Sequence, residues 1–332
     1  MATKTAIYDM SAPATPPVTT PAVVGGLTSG EWSTFQHTNA GTSYMICFNG
    51  SDPRWIYNGS TWGTAPAITF SDTTTMANLN FGWVFKNREF FLKNGSMDAY
   101  FLNNLYTIGG AASVFPLGGV MKEGGALLSG FSWSLESGDG PNEYCVFLST
   151  EGEVAVYSGS DPASTTDTGF ALVGVYKIAK PLGKNAWIKS GGDVLIATVD
   201  GLIPLSQAFQ RDRQQLTLVS ASKAIDDLWR AAAGATGSGW TLTLWPEQNL
   251  VFVCFPDNPA VPDTTFVFNT QTGKWSTITN WQATCYAPHQ KSLFFGSFDG
   301  ISWHGDYTGS DDGMPFQAGY ISHFNPGRAL DR

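Results

Sequence analysis

Residues 292–305 read SLFFGSFDGISWHG, two apolar runs on either side of Asp299-Gly300. Asp-Gly favours a tight two-residue turn, because both central positions need φ > 0. The stretch therefore predicts a β-hairpin in which Phe298 faces Ile301 and Gly296 faces Trp303, the ring covering the bare backbone of the glycine. One face then carries Phe294, Phe298, Ile301 and Trp303; the other carries Leu293, Phe295 and His304. Both faces are largely apolar. A sheet with one side in water would alternate apolar and polar residues, so this hairpin must be packed between two other layers.

The same unit recurs along the chain. Asp200-Gly201 divides VLIATVDGLIPLS (194–206), and Glu151-Gly152 divides YCVFLSTEGEVAVY (144–157). Asn94-Gly95 lies in EFFLKNGSMDAYF (89–101), and Asn49-Gly50 in YMICFNGSDPRWIY (44–57). A sixth copy, LVFVCFPDNPAVPDTTFVF (250–268), has a longer Pro-rich connection around Asn258. Turns at 50, 95, 152, 201, 258 and 300 are spaced by roughly 40–60 residues, the period of a β-propeller blade. Blades stacked on both faces also explain why the strands do not alternate. A β-sandwich with a coincidental spacing is the other all-β architecture such strands could build. The reading is all-β: a six-bladed β-propeller with one short helical insertion and an extended N-terminal arm.

Composition agrees. The 332 residues are 42% hydrophobic and 14% charged, with 37 Gly and 18 Pro, which suits many short strands joined by turns. Acidic residues outnumber basic ones 27 to 18, giving a net charge of −9. Proteins that grip DNA by its phosphates are basic, so a DNA-binding module is not expected. The four cysteines (47, 145, 254 and 285) show no metal-ligand spacing and are expected to be buried free thiols. No stretch has the apolar core of a signal peptide or the length of a membrane span, so neither general secretion nor membrane insertion is expected.

In chain order, residues 1–30 form the arm, whose Pro/Thr-rich part SAPATPPVTTPAVVGG (11–26) should bury little. Residues 31–320 form the propeller and 321–332 a polar tail. Abundant aromatics, such as Trp55, Trp83, Phe90 and Phe91, fill the spaces between blades or else line a carbohydrate groove. The insertion spans about 207–234. Its helix, SASKAIDDLWRAAA (220–233), is capped by Ser220 or Ser222, stops at Gly234, and carries an apolar stripe of Ile225, Leu228 and Trp229. Arg211 and Arg213, just before the helix, and Trp229 and Arg230 on it are the candidate subunit or partner contacts; the helix is expected to cap a blade edge or dock a partner.

Catalytic signatures are absent from the sequence. There is no GxSxG, HExxH, Walker A or dinucleotide fingerprint, and the four histidines have no nucleophile motif beside them. SFDGISW (297–303) resembles the aspartate box of sialidase-like propellers with one residue missing, and that box is structural even when complete. Asn-Gly-Ser at 49, 58 and 94 reads as turns. Neither enzymatic activity nor a cofactor or metal is expected.

Residues 83–230, from WVFKNREFFLKNGSMDAYFL through WSLESGDGPNEYCVFLSTEGEVAVYSGSDP to NAWIKSGGDVLIATVDGLIPLSQA, resemble the tail nozzle or tail tubular protein B family of short-tailed bacteriophages. The likeness extends over about 30–235 and, more weakly, the rest. It implies a structural virion protein made in the host cytoplasm, assembled as a homo-hexameric ring below the portal and adaptor. Phage DNA would pass through the ring without specific binding, which an acidic wall favours. The alternatives are a glycan-binding or glycan-cleaving propeller that reads a host surface, and a propeller interaction module within a cell.

Overall fold

The structure, a computed structural model, describes residues 1–10, 22–137, 140–164, 169–256, 264–281, 283–297 and 300–305. Six small antiparallel sheets follow one another along the chain, as in a six-bladed β-propeller. The first blade is Ser33–Asn39, Thr42–Phe48, Trp55–Tyr57 and Trp62–Gly63. The second is Leu79–Phe85, Arg88–Lys93, Asp98–Leu102 and Gly110–Pro116, with Ile68–Phe70 laid parallel along its outer strand. Leu127–Ser137, Gly140–Ser149, Glu153–Gly159 and Phe170–Lys177 form the third. The fourth has three strands, Trp187–Ser190, Asp193–Thr198 and Gly201–Pro204. The fifth is Thr241–Trp245, Leu250–Cys254, Thr264–Asn269 and Trp275–Thr279, and the sixth Ala283–His289, Ser292–Ser297 and Ser302–Gly305. Turn positions 50, 95, 152 and 300 lie between the second and third strands of a blade, and Gly201 opens the third strand of the fourth blade.

Burial explains the two-sided strands. Arg88–Lys93, Asp193–Thr198 and Leu250–Cys254 are buried on both parities, because each blade is covered by its neighbours. The aromatics are the filling: Trp83 stacks on Phe90 with ring centroids 5.3 Å apart and meets Phe147 of the third blade edge-on at 5.4 Å. Each such ring, fully buried, contributes about 1.5–3 kcal/mol. Glycines make room for them. A Cβ on Gly130 would lie 2.3 Å from the Trp83 ring, and one on Gly82 would lie 2.8 Å from both Phe35 and Phe48.

The last hairpin differs from its expected register. Gly296 pairs with Ser302, and Phe295 pairs with Trp303. The Ser297 N–H donates to Ile301 O, and the Gly300 N–H to Ser297 O, which closes a connection one residue longer than Asp-Gly alone. Gly300 takes φ 82° at its end, the left-handed position of a three-residue hairpin loop. Phe298 and Asp299 lie outside the described residues, as do Asn258 and the chain from 306 onward. In the fourth blade the tight turn is Val199-Asp200, and Gly201 pairs with Thr198. Two of the three Asn-Gly-Ser turns are side-chain turns: Asn49 Oδ1 accepts from Ser51 and Asp52, and Asn58 Oδ1 from Ser60 and Thr61.

The helical insertion takes the place of the fourth blade's outer strand. Two single helical turns, Leu205–Ala208 and Arg213–Leu216, precede a helix over Asp226–Thr236. That helix runs through Gly234 to Gly237, which stops it at φ 67°. Ser220 and Ser222 do not cap it. Their hydroxyls serve the blade edge instead: Ser220 Oγ donates to Leu202 O, and Ser222 Oγ accepts from the Leu202 N–H. The buried stripe is Trp229, Ala232 and Ala233, while Leu228 is 55% exposed.

The arm departs most from expectation. Ala6–Tyr8 and Ala22–Gly25 form a hairpin, and Ile7, Val24 and Leu27 are buried against Trp32, just ahead of the first blade, and Trp55 and Trp62 within it. Residues 11–21 lie outside the described residues. Cys47, Cys145 and Cys254 are buried thiols as expected, but Cys285 is exposed.

Candidate functional site

The four residues singled out in the insertion divide sharply. Trp229 is fully buried; its indole N–H donates to Thr198 O at 2.8 Å and its ring lies 5.0 Å from that of Trp240. It fastens the helix to the fourth blade and offers no surface to another chain. The arginines are exposed. Arg213 Nε donates to Asp200 Oδ2 at 3.1 Å, and Arg230 Nε to Asp226 Oδ1 at 3.1 Å, one turn away on its own helix. Leu218 and Leu228, at 70% and 55% exposure, stand on the same insertion. The insertion thus exposes both apolar and basic side chains.

At the centre of the propeller the sequence pointed to nothing, yet the structure places a lysine there. Lys184 lies just ahead of the fourth blade's inner strand. Its ammonium donates to Glu31 O at 2.5 Å, just ahead of the first blade, and to Asn80 O at 3.2 Å, in the second. Asn185 Nδ2 donates to Trp32 O at 2.8 Å. In a ring of six the first and fourth blades are opposite, so these bonds cross the axis. Burial pulls the Lys184 amine down to about 8, against the opposing charge of Glu31.

Between the first two blades lies a buried charge cluster that short-range motifs could not reveal. His37 Nδ1 is 2.7 Å from Glu89 Oε1, and Arg54 Nη1 is 3.4 Å from Glu89 Oε2. Arg54 Nη2 also donates to Pro66 O at 2.6 Å and to Ile108 O. Burial lowers the guanidinium to about 10, with Glu89 opposing. All three residues are at most 4% exposed, so the cluster braces two blades and does not meet a substrate. Among the described residues no three His, Cys, Asp or Glu side chains converge on a point where a metal ion could sit. No helix among them is long and apolar enough to cross a membrane.

No family model matches the chain. No curated protein matches it either. Among solved structures it is similar to a Bacteroides fragilis NCTC 9343 protein described as a 6-phosphogluconolactonase, with 11% identity and a TM-score of 0.48 over 91% of this chain and 93% of that one. It is also similar to an extracellular domain from B. thetaiotaomicron described as part of a one component system, with 10% identity, a TM-score of 0.44 and 83% of this chain covered. The match covers 32% of that second protein, so this chain spans about a third of its length. Both are likenesses of fold alone.

Proposed function

We propose that this chain is a non-catalytic structural subunit of a short-tailed phage tail, of the nozzle type. Six copies form a closed ring below the adaptor, and phage DNA passes through the lumen between them. The observation that carries this reading is the resemblance of residues 83–230, which runs through whole strands and connections and does not rest on one short motif. Two features support it. Lys184 reaches from the fourth blade to carbonyls on the far side of the propeller, so we place the conduit between copies. A net charge of −9 suits a wall past which DNA slides, since fixed cations would hold the duplex through counterion release. A closed ring uses heterologous side-to-side contacts, and the exposed Arg211, Arg213 and Arg230 with Leu218 and Leu228 are the surface we assign to them.

Negative-stain microscopy of the purified chain, with a native mass measurement, tests the proposal. A six-fold ring of several times the monomer mass is expected. A monomer that binds an oligosaccharide array would reject it in favour of a host-glycan reader. Within a ring, few Lys or Arg side chains should reach the lumen; rings of them there would overturn the conduit argument.

A further inference from the structure

We infer that the propeller is held shut at one seam by its N-terminal hairpin, and that this seam, between the sixth and first blades, is the one built to open. The inference does not depend on the phage reading. Five apolar cores join consecutive blades. Ile46, Phe48 and Phe91 lie between the first and second; Trp83, Phe90 and Phe147 between the second and third. Phe131, Val146 and Ile196 join the third to the fourth, Ala197, Val253 and Phe266 the fourth to the fifth, and Phe252, Tyr286 and Phe295 the fifth to the sixth. Among the described residues, no such core joins the sixth blade to the first. The remaining cluster is small: Ile7, Val24 and Leu27 of the hairpin, set against Trp32 at the joint and Trp55 and Trp62 of the first blade.

The hairpin sits where the missing core would be. Met1 Cε lies 3.9 Å from where a Cβ on Gly296 of the sixth blade would be. Its half-buried amino group donates to Tyr8 O at 2.9 Å and so ties the first residue to the hairpin. The base of the hairpin is tied to the first blade. Thr28 gives both its N–H and its hydroxyl to the Asp52 carboxylate, at 2.9 and 2.8 Å, and the Trp32 indole donates to Thr3 O at 3.2 Å. The joint between hairpin and blade, Glu31-Trp32, is pinned from across the axis by Lys184 and Asn185.

Among the described residues no blade is assembled from both ends of the chain: the first draws its strands from 33–63 and the sixth from 283–305. Among the described residues the seam is therefore held by a wedge with three buried apolar residues, whose joint to the first blade is pinned by one lysine of the fourth. Regions with few buried apolar contacts open at lower free energy than the global transition, so this seam opens first.

Hydrogen exchange read by mass spectrometry on the full chain tests the inference. Peptides covering 33–48 and 283–297 are expected to exchange about tenfold faster than those covering 81–101 and 145–157. Two variants target the device: Ile7→Ala/Val24→Ala thins the wedge, and Lys184→Met removes the pin. Each should speed exchange in the two seam peptides by a further factor of about ten and leave 81–101 and 145–157 unchanged. Equal protection in all six blades of the unaltered chain would overturn the inference. So would variants that loosen every blade alike, or that leave the seam peptides as they were.

Discussion

Glu89→Gln keeps the shape of the buried carboxylate and removes its charge, and its cost follows from what is left behind. Glu89 and Arg54 are both completely buried, and Glu89 holds His37 through its other oxygen. The substitution strands the Arg54 guanidinium between two carbonyls, Pro66 O and Ile108 O, with no counter-charge. Removing one partner of a buried pair costs about 3–5 kcal/mol. With an unfolding entropy near 2.1 cal/mol/K per residue, that lowers Tm of a domain this size by about 4–7 °C. Arg54→Met/Glu89→Gln removes both charges, and it should be less destabilised than the sum of the two single variants by about 2 kcal/mol or more. Urea denaturation of the four proteins of the cycle measures this. If the single-variant costs add with no coupling, or if Glu89→Gln falls within about 0.5 kcal/mol of the parent, the cluster does not brace the blades and the reasoning fails.

Gly130→Ala drives a methyl into the Trp83 ring and should cost about 1–3 kcal/mol or more, seen as a lower denaturation midpoint. Trp229→Ala should cost about 3–5 kcal/mol, through the cavity and the orphaned Thr198 carbonyl. Arg213→Ala and Arg230→Ala, in exposed pairs, should stay within about 0.5 kcal/mol of the parent while weakening ring assembly by native mass. Alkaline stability should carry two opposite trends. Lys184 falls from 10.5 to about 8 on folding, so the unfolded chain binds more protons between those values and stability rises across that window. Cys47 and Cys254 rise from 9 to about 12, so the folded chain keeps protons that the unfolded one loses, and stability falls from pH 9 to about 12. Urea midpoints across this range should show that Lys184→Met flattens the first trend and leaves the second.

The hairpins were legible because their determinants are contiguous. An Asn-Gly or Glu-Gly turn fixes its own backbone, and apolar residues on both parities announce a strand covered on two faces, so six turns at a regular period gave the blade count. The helical insertion was visible for the same reason, as was its role as a cover for a blade edge. Its details were not. Ser220 and Ser222 suit a helix cap, but Leu202, eighteen and twenty residues earlier, takes them for the blade. Trp229 suits an exposed contact or a core anchor, and only the fourth blade beneath it decides between them. The register at Asp299-Gly300 slipped by one because Ser297 bonds to Ile301, an option that turn propensity alone does not rank. The central and seam features were out of reach altogether. Lys184 and Glu31 are 153 residues apart, and His37 and Glu89 are 52 apart. Local sequence carries the dihedral preferences that make a turn or a strand. Which charges meet and which side chains reach across the axis follow from closing six blades into a ring, and only the tertiary structure performs that closure.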